Sequence, residues 1–324
     1  MTWQPTASIE QLKKRSQWLK DLRAFFYARS VMEVDTPILS SAATPDLHLR
    51  SLKTSVQVPG IKDKQPYFLH TSPEYPMKRL LCAGSGDIFY LGKVFRDGDL
   101  SARHQVEFTL LEWYRLGFDL TEIMAETATL IQLVIGPKPT QMLSYEQAFR
   151  QYAGVSSIHV ATAEECRQCL ARHQIPEVIG VDKDDKVLWE QLILTEVIEP
   201  LLGQNAITYL FHYPARDAAL AEISKENPQV ALRFEVFVEG MELANGYQEL
   251  QDSDGYRDRF EASLSDRIAH GAEPVPVDNY LLDALKEKGL PECSGVALGV
   301  DRLFMLAAKH KNIESVIPFG LGNA

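Results

Sequence analysis

Cysteine, cationic charge and long apolar runs are all scarce in this chain, and each shortage excludes something. Its 324 residues hold 4 cysteines, too few for a disulfide framework at this length. Cys166 and Cys169 form a CxxC with His173 four residues on, yet no second CxxC or HxxxH offers a fourth zinc ligand. The segment Ala163 to Leu170 reads as a helix, where cysteines at i and i+3 share a face in any case. No apolar run approaches the roughly 18 residues of a membrane span. The N-terminus, Met-Thr-Trp-Gln-Pro, leads into a charged amphipathic stretch instead of a signal peptide, so a soluble cytoplasmic protein is expected. Lys and Arg number 33 against 44 Asp and Glu, a net charge of −11 that counts against extensive nucleic-acid contact. There is no internal repeat, low-complexity tract or Pro/Gly/Ser linker.

What is present suits one large globular domain or a domain with an insertion: 45% hydrophobic and 24% charged residues. Ser8 can cap a helix from Ile9 to about Arg29, with Ile9, Leu12, Leu19, Leu22 and Phe26 near one face. Val31 to Leu39 is β-prone and carries Pro37, which suits an edge or terminal strand. Strands are expected at 67–70, 88–95 and 106–118. A helix runs from the capping-box pair Asp119 and Glu122 to Ile135, closed by Gly136 and Pro137. Residues 141–231 read as mainly helical. Strand character returns at 234–238, with turns at Gly240 and Asn245-Gly246, and a glycine-spaced strand from Ser294 runs into an apolar helix. Without a βαβα rhythm, this predicts an α+β fold with an antiparallel sheet.

Three separated segments carry the groups an ATP site needs: arginines for phosphates, carboxylates for magnesium, and a flat surface for adenine. Gly92 to Tyr114 reads as strand, charged loop, strand. Arg96 ends the first strand, Arg103 and His104 sit in the loop, and Phe108, Leu110, Glu112 and Tyr114 share one face of the second. Arg233 to Glu249 spaces Glu235, Glu242 and Glu249 around glycine breaks, suiting a metal or an ammonium group. In Gly295 to Arg302, glycines 295 and 299 would admit a nucleotide close to the backbone, and Arg302 can stack on a base or pair with phosphate.

These segments resemble motifs 2 and 3 of class II aminoacyl-tRNA synthetases, and Glu33 to Leu39 resembles motif 1. Arg103-His, Glu107-Phe-Thr-Leu-Leu-Glu-Trp-Tyr114, Arg233-Phe-Glu235 and Glu242-Leu-Ala-Asn-Gly-Tyr-Gln-Glu-Leu250 are similar to the lysyl-tRNA synthetase core. The resemblance spans 1–324 as a single class II synthetase-like catalytic domain, with the helical insertion at about 141–231 and no anticodon-binding domain. His70-Thr-Ser-Pro-Glu-Tyr-Pro-Met-Lys-Arg79 and Cys293 to Leu303 resemble the elongation factor P–(R)-β-lysine ligase family, in which Ala297 replaces the glycine usual in lysyl-tRNA synthetases.

That resemblance implies an enzyme using ATP and Mg2+, with elongation factor P as protein substrate, (R)-β-lysine as amino acid, a homodimer, and no stable tRNA binding. It implies Arg96 on the α-phosphate, Arg103 and His104 on the γ-phosphate, and adenine between Phe108 and Arg302. Arg96 and Arg302 are the catalytic pair. Asp97, Gly98, Gln105, Leu243 and Gly299 complete the ATP contacts, and Glu235 and Glu242 hold magnesium. Glu249 and Tyr114 would receive the side-chain ammonium, beside Glu112, Asn245, Tyr247 and Ala297. Glu74, in Ser72-Pro73-Glu74, would meet the other amino group. Gly98 departs from the motif 2 glutamate that contacts adenine, leaving Asp99 or backbone groups to take that contact. Gln105 replaces an asparagine and keeps the amide. A lysyl-tRNA synthetase-like enzyme and a non-catalytic paralogue that binds lysine or ATP are the alternatives.

Overall fold

A computed structural model describes residues 3–324; Met1 and Thr2, the start of the N-terminal stretch read above, lie outside the described residues. Helix α1 (Ile9–Tyr27) is capped by Ser8, whose hydroxyl accepts from the Gln11 N–H. It buries Leu22, Phe25 and Phe26, and Phe26 stacks on Phe89 with ring centroids 4.6 Å apart. Each such side chain contributes about 1.5–3 kcal/mol by leaving water. The motif 1 segment is broken into β1 (Met32–Glu33) and β2 (Leu39–Ser40), with Pro37 between them instead of inside a strand. Its missing N–H explains the interruption.

Strand β2 and β3 (Lys53–Val56) flank β4 (Gln65–Leu69) in a small antiparallel sheet. Helix α2 (Glu74–Cys82) follows. Then β5 (Ile88–Phe95) and β6 (Glu107–Leu116) form the long antiparallel hairpin, and β1 joins β5 in parallel. Helix α3 (Leu120–Ile135) begins with the Asp119–Glu122 capping box and stops at Gly136, φ 85°.

Residues 137–248 form a second compact unit. It holds β7 (Thr140–Ser144), α4 (Tyr145–Ala148), α5 (Ala163–Arg172), α6 (Lys186–Ile193), β8 (Ile207–Phe211), β9 (Arg233–Val238) and β10 (Met241–Gln248). The stretch read as mainly helical therefore also supplies two strands, paired in parallel. β8 continues antiparallel to β9, and β9 to β10. Its core gathers Phe149, Trp189, Ile193 and Phe237 with Cys166 and Cys169. The chain turns between β9 and β10 at Glu239 and Gly240, both at positive φ. Asn245-Gly246, expected as a turn, lies inside β10.

From Glu249 the chain belongs to the first unit again, with α7 (Ser253–Ala269), α8 (Asn279–Lys288), β11 (Cys293–Gly299) and α9 (Val300–Ala307). β11 pairs antiparallel with β6, setting Gly295, Ala297 and Gly299 opposite Tyr114, Glu112 and Leu110. Antiparallel sheet with flanking helices, parallel among the described residues only at β1–β5 and β7–β8, is the α+β class expected. No helix among the described residues is long and apolar enough to cross a membrane.

Candidate active site

The first unit brings five acidic or phenolic side chains, Glu74, Glu112, Tyr114, Glu249 and Tyr256, around one buried lysine. Opposed residues in an antiparallel pair share a face, so Glu112 and Tyr114 on β6 face the same side as Ala297 and Gly295 on β11. Ser72 Oγ donates to Glu112 Oε2 at 2.6 Å and Tyr114 Oη to Oε1 at 2.8 Å. Ser72 Oγ also accepts from the Glu74 N–H at 3.0 Å, at the start of α2, where Pro73 is the capping residue. The segment is anchored by backbone bonds from His70 N to Ile38 O and from Phe95 N to His70 O, each 3.0 Å.

Lys78, one turn along α2, is fully buried. Its ammonium lies 2.6 Å from Glu74 Oε1 and 2.7 Å from Glu249 Oε2, with the Tyr256 ring centroid at 5.3 Å. Glu249 is 1% exposed, and its Oε1 has no hydrogen-bond partner in the protein. Burial pushes its carboxyl up to about 8 despite Lys78. Glu112 is raised to about 7 by burial and then by the Glu74 charge. Buried carboxylates in excess of cations are costly until a cation arrives. This pocket therefore suits an ammonium-bearing ligand.

Gly295, expected beside a nucleotide, instead borders this pocket. A Cβ there would lie 2.5 Å from Glu249 Oε1 and 2.5 Å from Tyr114 Cε1. Ala297 carries its methyl on the same face, opposite Glu112.

A second group of residues in this unit has the character of a phosphate and base site. Arg96 follows β5, with its guanidinium carbon 5.1 Å from the Phe108 ring centroid. The loop beyond bends at Gly98, φ 86°, and the Asp97 N–H bonds to Arg50 O at 2.8 Å. A tight turn joins Ser101 to His104, with Ser101 Oγ 2.7 Å from His104 Nδ1. Arg302, in the first turn of α9 after the capping residue Gly299, reaches His104 Nε2 and the Arg103 carbonyl at 3.4 Å. Arg302 thus ties the loop carrying Arg103 and His104 to the start of α9, and its guanidinium is suited to anionic oxygens. Gln105 is buried, its carbonyl accepting from Leu321 N at 3.1 Å.

The second unit carries the remaining acids on its own strand face. In β9–β10, Asn245 lies opposite Glu235, Tyr247 opposite Arg233 and Glu242 opposite Phe237, with a register shift between Glu242 and Ala244. Strict alternation would put Glu242 and Asn245 on opposite faces; the bulge at buried Leu243 returns them to one. Arg233 Nη2 bonds to Glu235 Oε1 at 2.6 Å, and its Nε to Asn245 Oδ1 at 3.3 Å. Burial, then the charge of Glu242, pushes Glu235 up to about 7. Two carboxyl groups that repel in a buried setting, offering hard oxygen donors, fit a divalent cation.

Lys78 is the residue missed at the sequence level, although its signal was there: Glu74 and Lys78 stand at i and i+4, the spacing of a helical ion pair. The CxxC has a core explanation. Cys166 and Cys169 are wholly buried among apolar side chains, and burial pushes the Cys166 thiol up to about 11, the opposite of an activated thiolate.

Comparison with known proteins gives the family. A family model for class II tRNA synthetases (D, K and N) matches residues 2–322. A protein of Salmonella arizonae named elongation factor P–(R)-β-lysine ligase is 42% identical over 323 residues, covering 100% of this chain and 98% of that protein. Its namesake in Pectobacterium atrosepticum is 44% identical with the same coverage. This chain belongs to the class II tRNA synthetase family, D, K and N group, in its elongation factor P–(R)-β-lysine ligase branch.

Proposed function

We propose that this protein uses ATP to activate (R)-β-lysine as its adenylate and transfers the lysyl group to the ε-amino group of a lysine on elongation factor P. The observation that carries the reading is the pocket formed by the buried carboxylates of Glu112 and Glu249 with half-buried Glu74, which answers a substrate with two ammonium groups. The full-length likeness to proteins named for this reaction supports the acceptor.

In the first step a carboxylate oxygen of the amino acid attacks the α-phosphorus and pyrophosphate leaves. Arg96 stabilises charge on the α-phosphate, while Arg103 and His104 hold the γ-phosphate end. Phe108 and Arg302 take the adenine between them, with Asp97, Gly98, Gln105 and Gly299 as further contacts. In the second step the acceptor amine attacks the acyl carbon, AMP leaves, an amide forms and the amine loses a proton. No side-chain nucleophile is needed, so positioning and charge stabilisation carry the catalysis. Glu235 and Glu242 are the residues that would hold Mg2+, which supplies charge neutralisation at the phosphates.

Glu249 and Tyr114 receive the side-chain ammonium and Glu74 the second amine, with Ser72 and Pro73 as further contacts. The Ala297 methyl narrows the pocket and disfavours α-lysine. The enzyme acts as a cytoplasmic homodimer without stable tRNA binding, one class II catalytic domain with its insertion at about 141–231. Incubation with ATP, (R)-β-lysine and elongation factor P should raise the factor's mass by one lysyl residue. An unchanged mass, or charging of tRNA with α-lysine instead, would overturn the reading.

A further inference from the structure

The amino-acid pocket contains a cation of its own. Lys78 is fully buried, pairs with both Glu74 and Glu249, and meets the Tyr256 ring. Glu112 completes the set through Ser72 and Tyr114, and the Lys78 charge acts on it. Tyr75 from α2, Cys82 from the end of α2, Tyr90 from β5 and Cys293 from β11 are further titratable groups facing this cluster. An internal salt bridge could serve packing alone. Two features of Lys78 point further. It divides its ammonium between the two carboxylates assigned to the two substrate amines, and it leaves Glu249 Oε1, which is buried, without a partner.

We propose that Lys78 is a positioning residue that sets the charge count of the pocket: three carboxylates less one internal ammonium leave room for two further positive charges, so the site selects a diamino acid. Lys78 takes Glu249 Oε2 and turns Oε1 toward the ligand, and it holds Glu74 in the same way from its own helix. A ligand with a single amine leaves one buried carboxylate uncompensated, which is the costly state. This inference rests on reading the pocket as the amino-acid site.

ATP–pyrophosphate exchange by the full-length protein separates the two claims. If the wild type exchanges with no diamino acid, the proposed function fails before the charge count is reached. Once exchange is established, Lys78→Met should raise the KM for β-lysine by at least about 30-fold, with the ATP KM within about 2-fold. Lys78→Arg, which keeps the charge, should recover most of that loss. Glu112→Gln alone should also weaken β-lysine, because the pocket then carries one positive charge too many. Combined with Lys78→Met it restores the balance, so the double variant should bind β-lysine better than Lys78→Met alone. Additive losses in the double variant, or an Arg variant as poor as Met, would overturn the proposal. If Lys78→Met is insoluble, Glu112→Gln decides alone. Its preference for β-lysine over analogues lacking one amine should shrink by at least about 10-fold relative to wild type; an unchanged preference refutes the charge count.

Discussion

At the residue scale, Gly295 and Arg96 make opposite demands on the same catalytic unit. Gly295 is valuable for what it lacks, since a methyl group there would press on both Glu249 and Tyr114. Gly295→Ala should raise the KM for the amino acid by at least about 10-fold and leave the ATP KM within about 2-fold, because overpacking a filled site forces its neighbours to shift. Exchange kinetics with each substrate varied in turn check this; equal changes in both constants would place Gly295 at the nucleotide instead. Arg96 is proposed for what it carries. It flanks the Phe108 ring, and if it meets charge that grows at the α-phosphate, Arg96→Ala should lower kcat by about 100-fold or more. Single-turnover adenylate formation measures that step, and a loss confined to KM would show that Arg96 only binds ATP.

At the scale of elements, the strands and helices carrying the motifs were legible because their signals are local: a capping box before α3, glycine and proline after it, and aromatic and β-branched content along β6. The failures came where tertiary contacts override pattern. On α1, hydropathy places Ile9 on the buried face, but Ile9 is exposed and Arg15 is buried. Arg15 goes inside because Asp301 of α9 meets it at 2.6 Å, Thr109 of β6 accepts from it at 2.8 Å and the Val316 carbonyl at 3.2 Å. No amphipathic period can reveal a partner nearly three hundred residues away. The bulge in β10 is similar, since residue parity does not reveal that Glu242 and Asn245 share a face. The sequence marks Gly295 as a close-approach glycine, yet only the β6–β11 register shows what approaches it. Arg15 also yields a prediction at this scale, because it joins α1, β6 and α9. Arg15→Met leaves Asp301 buried without its cation, a change that costs about 3–5 kcal/mol. Urea unfolding should show a lower midpoint, whereas a purely local packing role would leave the midpoint within experimental error of wild type.

At the scale of the whole molecule, the net charge of −11 conceals a pocket whose own charge depends on whether it is filled. Glu249 and Glu112 are raised to about 8 and about 7, mainly by burial, above the ordinary carboxylate value of about 4.3. Between those limits the native state holds more protons than the unfolded chain. Their contribution to stability therefore falls as pH rises from about 5 to about 8. A bound diamino acid reverses this preference, since its ammonium groups favour the ionised carboxylates and expel the protons. Affinity should accordingly rise with pH, by at least about tenfold from pH 6 to pH 8, while both substrate amines keep their charge. Because ligand binding to the native state adds stability in proportion to the logarithm of its saturation ratio, β-lysine at fixed concentration should raise the melting temperature more at pH 8 than at pH 6. Differential scanning fluorimetry at the two pH values measures both shifts, with ATP omitted so that only the pocket is read. Glu249→Gln removes the group with the highest value and should flatten the difference. A shift that is equal at both pH values in the wild type would mean that the carboxylates are already ionised in the empty protein, with Lys78 alone sufficient to hold them so.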